Sequence, residues 1–372
     1  MNKKLVVVSV ISDLVSDQRV HRICLYLHQK GATVLLIGRS FNNSLKVSER
    51  PYKTLRINCH YKKGPLQYIE FMLKLWIKFF FYKPALLVAN DLDTLLPNYL
   101  HSVFRKIPLV YDSHEYFTGA PELRDRKFKK NIWKKLEGFL LPKIKTAYTV
   151  NNSIRMQYQK DYGIEMQVIR NMPFLNKALA ISEVPALPVD RKILIMQGAG
   201  INPERGYEEA VLSMKFLNED FLLVIAGSGT ILEELKNLVS ENNLSSKVSF
   251  IPKLPFETLP YLTSQASLGL SLDKPNSMNY VFSLPNKIFD YIHAGLPVIT
   301  SSVPEVRKIV EEYKVGVCID NITPENIADA IKEIFEDEDR LKEFRRNSIE
   351  AREVLNWENE QKKLDEIYSG YI

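Results

Sequence analysis

Cysteine is nearly missing from this chain. Three in 372 residues, Cys24, Cys59 and Cys318, are odd in number and widely spaced. That suits the reduced thiols of a cytoplasmic protein better than a disulfide framework or a zinc site. Long apolar runs are missing too. The richest, Phe71 to Tyr82, carries Lys74 and Lys78 and falls well short of the ~20 residues that span a bilayer, so no transmembrane anchor is expected. Leu5–Ile11 after Lys3 and Lys4 imitates a signal peptide, but Asp13 and Asp17 follow without a small-residue cleavage site, and a buried first strand is the better reading. There is no Gly-x-Gly-x-x-Gly fingerprint, no P-loop and no recognisable nucleic-acid motif.

What is present is an ordinary globular composition, 45% apolar and 25% charged, in a chain too long for one comfortable core. Short apolar runs at Leu5–Ile11, Thr33–Ile37, Leu86–Ala89, Leu109–Tyr111 and Ala147–Val150 alternate with helical stretches such as Gln18–Gln29. After a poorly patterned stretch containing Pro185 and Pro188 the same grammar restarts at Lys192–Gln197 and continues through Phe221–Ala226, Val248–Ile251, Leu268–Ser271, Pro297–Thr300 and Gly316–Ile319. This predicts α/β architecture: two Rossmann-like domains with doubly wound parallel sheets facing a cleft. The expected boundaries are 1–170 for the first domain and 171–355 for the second. A last helix over about 356–372 would cross back to the first domain, with Trp357 as a packing anchor.

Charge divides along the same line. Residues 1–170 hold 29 Lys and Arg against 13 Asp and Glu, and residues 171–372 hold 21 against 31. A basic half suits an anionic partner such as a membrane surface, a phosphorylated lipid or an acidic glycan, though solvated lysines explain it equally. Within it, Tyr68 to Tyr82 interleaves aromatics with Lys74 and Lys78. It reads as an amphipathic helix for an anionic membrane or as a core helix whose lysines reach solvent. Nucleic acid has no motif to support it.

Ser283 to Glu305 is the most informative stretch. A polar loop with Ser283, Leu284 and Asn286 feeds a short helix carrying Lys287 and Asp290, Gly295 stops it, and a buried strand follows. A loop entering a helix leaves backbone N–H groups for an anion, while a lysine and a carboxylate one turn apart can hold a phosphate and a sugar hydroxyl. That is nucleotide-sugar chemistry. Gly198 to Gly206, with Gly200 and Arg205, follows a strand and suits a diphosphate cradle. Gly227 and Gly229 end the next strand, where backbone approaches ligands in such sheets, although a plain tight turn explains them as well. Asp112-Ser-His114-Glu115 sets His114 at the matching edge of the first domain, where it could exchange a hydrogen bond with a sugar hydroxyl or satisfy its own loop. Asp91 and Asp93 spell a metal-type Asp-x-Asp, but the expectation is that Asp91 caps its own helix by accepting backbone N–H bonds, and no metal site is expected.

Taken together, Arg205-Gly206, Phe221–Gly229, Leu254–Leu262 and above all Ser283–Glu305 resemble the family 4 retaining glycosyltransferases of GT-B fold, in the variant reading Ser-Leu-Pro-Asn-Lys. The first half agrees through Asp17–Val20, Tyr111–Glu115, Pro121-Glu122 and Val168–Pro173. The resemblance implies that Asp290 binds the nucleotide ribose, that Arg205 and Lys287 hold the donor diphosphate and act in catalysis, and that His114 sits by donor sugar and acceptor. It implies a metal-independent hexosyltransferase needing no cofactor, with a UDP- or GDP-linked sugar as donor and a glycan or lipid-linked hydroxyl as acceptor. The setting would be surface polysaccharide or glycolipid assembly, in the cytoplasm or at the inner membrane face. Two departures stand out. Phe282 occupies the place of the first glutamate of the family's Glu-x7-Glu pattern, and Ala199 and Gly200 occupy that of a usual arginine. A same-fold epimerase or phosphorylase, or a binding partner without turnover, is the alternative.

Overall fold

A computed structural model describes residues 3–372 apart from 16, 42–43, 45, 121–122, 176–183 and 199. The Pro121-Glu122 segment and Ala199 therefore lie outside the described residues. The chain divides into two compact units, one of residues 1–171 with 360–372 and one of 172–359. The last helix, Trp357–Tyr368, starts in the second unit and from Glu360 counts with the first. Its start is fixed by Trp357 N–H donating to Pro173 O at 2.7 Å and by the buried indole lying against Phe174.

The first unit holds strands β1 Leu5–Ser9, β2 Thr33–Ser40, β3 Lys53–Asn58, β4 Leu86–Asn90, β5 Leu109–Ser113, β6 Thr146–Thr149 and β7 Gln167–Val168. They form a parallel sheet in the order β3-β2-β1-β4-β5-β6-β7. Val and Leu fill the central strands because both faces are covered, as in Val6–Val8 and Leu86–Val88, which are wholly buried. The first helix, Gln18–Gln29, begins where the Asp17 carboxylate accepts Val20 N–H at 3.0 Å, and it buries Val20, Ile23, Cys24 and Leu27 at helical spacing.

The second unit repeats the plan with β8 Lys192–Gly198, β9 Phe221–Gly227, β10 Val248–Pro252, β11 Leu268–Ser271, β12 Val298–Ser301 and β13 Gly316–Ile319, parallel in the order β10-β9-β8-β11-β12-β13. The helix Asn286–His293 lies tightly on this sheet. Gly269 makes that possible, since a Cβ there would fall 2.3 Å from the Tyr291 ring. In each sheet successive strands are laid down in one direction and then in the other. The reversal falls between β1 and β4 in the first and between β8 and β11 in the second, and at such a point the loops leaving adjacent strand ends part and open a crevice.

Candidate functional site

At the second reversal, the loop after β8 and the residues after β11 meet. Gly198 and Gly206 turn the loop with φ of +152° and +74°, a region open to glycine at little cost. Gly206 also lets the loop press on Leu272, whose carbonyl oxygen would stand 2.5 Å from an added Cβ. This approach brings Arg205 to Asp273: Nη1 donates to Oδ2 at 2.8 Å, and the guanidinium lies 4.5 Å from the centroid of Tyr280. Lys287, from the helix Asn286–His293, places Nζ 3.8 Å from the other Asp273 oxygen and 5.6 Å from the centroid of Tyr207. Two cations from separate segments thus share one carboxylate that is 1% exposed.

The electrostatics are uneven. Burial disfavours the charge of Arg205, but Asp273 outweighs it and holds the guanidinium above its ordinary pKa. Burial and the nearby Arg205 push the Lys287 ammonium below its ordinary value, although Asp273 resists. Asp273 Oδ1 is buried and accepts no hydrogen bond among the described residues. Such a cluster is short of negative charge, and a polyanion would relieve it.

Asp290 lies one turn beyond Lys287 and faces elsewhere. Gln197 at the end of β8 points its Nε2 toward Asp290 Oδ2 at 3.4 Å, while its Oε1 accepts from the Thr263 hydroxyl at 2.7 Å. Tyr291 bridges Gln197 N–H and Leu270 O, so the helix bearing Lys287 and Asp290 is pinned to β8 and β11. Ser283 closes its own turn by donating to Tyr280 O at 2.8 Å, Leu284 packs on the core, and Asn286 begins the helix and is exposed. Phe282 N–H closes a turn on Met278 O.

The three predicted glycines differ in what they do. A Cβ on Gly227 would fall 1.8 Å from Gly198 O, and one on Gly229 would fall 2.0 Å from Ile201 O. Both exist so that the loops after β8 and β9 can lie backbone on backbone, joined by Ile201 N–H to Ser228 O at 3.1 Å. Gly200 has nothing nearer than 3.8 Å and is the one with room for an approaching ligand.

In the first unit a second constellation lies at its own reversal. His114 N–H donates to Asp91 Oδ1 at 2.8 Å, its Nδ1 lies 3.3 Å from Asp91 Oδ2, and its Nε2 lies 3.4 Å from Asp112 Oδ2 and 3.2 Å from Asn90 Oδ1. Arg19 braces Asp112 with Nε and Nη2 and donates Nη1 to Ile169 O at 2.8 Å. Burial opposes an imidazolium, but Asp91 and Asp112 outweigh it and lift His114 to about 10. At neutral pH the ring is therefore a cation with both nitrogens as donors. Both are taken up within this unit, Nδ1–H by Asp91 and Nε2–H by Asp112 and Asn90, and a protonated ring does not serve as a base. The capping role expected for Asp91 is overturned: it stands at the N-cap position with φ +58°, but its carboxylate makes no cap bond and goes to His114 instead. An interaction with a loop 23 residues away competes with the local one and wins.

Of the residues predicted from sequence, the structure gathers Arg205 and Lys287 on Asp273, sets Asp290 one turn further along the same helix and surrounds His114 with Asp91 and Asp112, whereas Asp273, Gln197, Tyr280 and Arg19 were not singled out. A lone carboxylate two residues past an apolar run, as Asp273 is, was the available signal.

Comparison with known proteins matches the description "Glycosyltransferase Family 4" to residues 17–172 and "Glycosyl transferases group 1" to residues 179–351. A chitobiosyldiphosphodolichol beta-mannosyltransferase from Candida albicans is 21% identical over 56% of this chain and 50% of its own length. The chain spans half or less of the length of the curated relatives it matches. Among solved structures, sucrose-phosphate synthase from Thermosynechococcus elongatus superposes with TM-score 0.80 at 16% identity, covering 99% of both chains. HepE from Anabaena in complex with UDP gives 0.73 at 13% identity, covering 99% of this chain and 100% of its own. These structural likenesses show a common GT-B fold.

Proposed function

We propose, on the premise that this chain belongs with the group 1 and family 4 glycosyltransferases, that it moves a sugar from a nucleoside diphosphate sugar to an acceptor hydroxyl with retention at the anomeric carbon. The observation that carries the reading is the pair Arg205 and Lys287 gathered on Asp273 at the sheet reversal, with Asp290 one turn further along the same helix.

In this reading the donor diphosphate takes the place that Asp273 now fills as counter-ion, and Asp290 accepts hydrogen bonds from the ribose hydroxyls. The bond between anomeric carbon and diphosphate oxygen breaks, and the diphosphate leaves with the electron pair. The acceptor oxygen forms the new bond, and its proton passes to an oxygen of the departing diphosphate. Charge grows on the leaving oxygens, so fixed cations stabilise the transition state more than the ground state. Arg205 offers two parallel donors and Lys287 a buried point charge that an anion would stabilise. His114, a cation held by Asp91 and Asp112, sets positive charge beside the transferred sugar and the acceptor. The cations do the work that a divalent metal does elsewhere, so the transfer is metal-independent and uses no cofactor. UDP in a structural neighbour makes a UDP-sugar the first donor to try, with GDP-sugars next. A glycan or lipid-linked acceptor fits the mannosyltransferase relative. The setting would be surface polysaccharide or glycolipid assembly at the inner membrane face.

Purified protein with a panel of nucleotide sugars and acceptors, with and without EDTA, tests this. Product of unchanged anomeric configuration by proton NMR, formed equally with EDTA, is expected. Inverted product contradicts retention, EDTA-sensitive turnover contradicts metal independence, and donor consumed without acceptor contradicts transfer.

A further inference from the structure

Three helices of the first unit carry apolar side chains that its folding does not use. Pro65–Phe79 is apolar on two opposite faces. Phe71, Leu75 and Phe79 are buried, whereas Leu66, Ile69, Leu73 and Ile77 are 49%, 52%, 55% and 52% exposed. Spacings of three and four residues set these four in a single outward stripe. A helix packed on one face normally turns polar residues to water on the other, and apolar residues all round need a second apolar neighbour.

The stripe continues. Phe80 and the 73% exposed Phe81 extend it, and the Phe80 ring lies 5.9 Å from Phe104 on the helix Leu92–Arg105. The helix Lys127–Leu140 adds the exposed Phe128, Ile132 and Phe139. It is tied to the first helix by Trp133 against Tyr68 at 5.3 Å, and to the second through Lys143, whose Nζ lies 5.8 Å from the Tyr99 centroid and 3.0 Å from that of Phe139.

Around this ridge the charge is of one sign. Lys78 lies 5.6 Å from the centroid of Phe81, and Arg105 lies 5.8 Å from that of Phe80 and 5.5 Å from that of Phe104. Lys127, Lys134 and Lys135 are exposed on the third helix. Of the acids in these helices, Asp93 and Glu137 are buried, and Glu70 is engaged by Lys74 and by the N–H groups of His60 and Tyr61.

We propose that this three-helix face docks onto an anionic lipid bilayer, with the apolar ridge entering the headgroup boundary and the Lys and Arg side chains pairing with lipid phosphates. The charge complementarity selects the partner: an exposed apolar ridge rimmed by long, flexible cations matches a fluid anionic surface, which adapts to side chains that hold no fixed geometry. The first helix, about 22 Å long at 1.5 Å per residue, would lie in the plane, and no helix among the described residues is long and apolar enough to cross. This deepens the proposed transfer by bringing the protein to lipid-borne acceptors, but docking is read without donor or turnover, so either can fail alone.

Co-sedimentation of the full chain with vesicles of phosphatidylcholine alone, or with phosphatidylglycerol added, tests it. Binding is expected on the mixed vesicles and should weaken as salt rises. The variant Ile77→Ser with Phe81→Ser and Phe104→Ser should lower it about tenfold or more. Lys78→Glu with Lys134→Glu should lower it roughly fivefold or more per site. Melting temperatures equal to that of the parent show that the variants are folded, and if the serine variant melts early the charge variant alone decides. No binding to the mixed vesicles at low salt overturns the proposal, as does binding that neither variant alters. A dimer in sedimentation velocity that the serine variant dissociates, without vesicle binding, assigns the face to a second copy and overturns it too.

Discussion

His114 shows what a neighbourhood does to a residue type. Alone, a histidine at a strand end is a candidate base; between Asp91 and Asp112 it is a fixed cation near pKa 10. The folded protein therefore holds this proton more tightly than the unfolded chain, whose histidines titrate near 6.5. The stabilisation is complete below pH ~6.5 and is lost as pH rises toward the folded value. Thermal melts of the first unit should thus fall between pH 6.5 and 10, and His114→Ala should flatten that slope while lowering the melting temperature at pH 6. A slope that the variant leaves unchanged would contradict the assignment. His114, Lys287 and Arg205 were legible as candidates because each stands at a strand or helix end, and Asp290 because it lies one turn past Lys287. Asp273 was not, because its meaning comes from Gly206 and Leu272 letting two distant segments touch.

At the scale of elements, strands with an apolar run announce themselves, even the edge strands β10 and β13, and strands without one do not. β1, β4, β8 and β9 were legible as apolar runs, whereas β3 alternates polar and apolar residues with one face exposed and carries no continuous signal. The helix Met278–Val281 is a single turn with no buried residue, and only its Ser277 cap marks it. The glycines after β8 and β9 were found as a pattern, but their roles needed coordinates. Gly227→Ala should destabilise the second unit by about 3 kcal/mol, because the new methyl would meet fixed backbone at an unfavourable φ. Gly200→Ala should cost under about 1 kcal/mol and instead weaken donor binding. Urea unfolding of both variants, beside nucleotide titration of Gly200→Ala, separates the two roles, and equal destabilisation would contradict the distinction.

Across the whole molecule, alternating strands and helices on either side of the Pro185–Pro188 stretch made the double α/β plan legible, and the uneven charge was legible with it. The outward apolar stripe of Pro65–Phe79 was not, because a sequence shows that a helix is amphipathic without showing which of two apolar faces the core takes. Each unit sets its candidate site residues at its own sheet reversal, where strand ends leave room for them. The account stands on the second of these holding a nucleoside diphosphate through Arg205, Lys287 and Asp290. Isothermal titration of UDP and GDP into the full chain, with Arg205→Ala and Asp290→Ala beside it, tests this most directly. One nucleotide should bind, and each variant should weaken it by roughly 10- to 100-fold, the worth of hydrogen bonds to charged groups. Binding of neither nucleotide, or affinity in both variants equal to that of the parent, would contradict it.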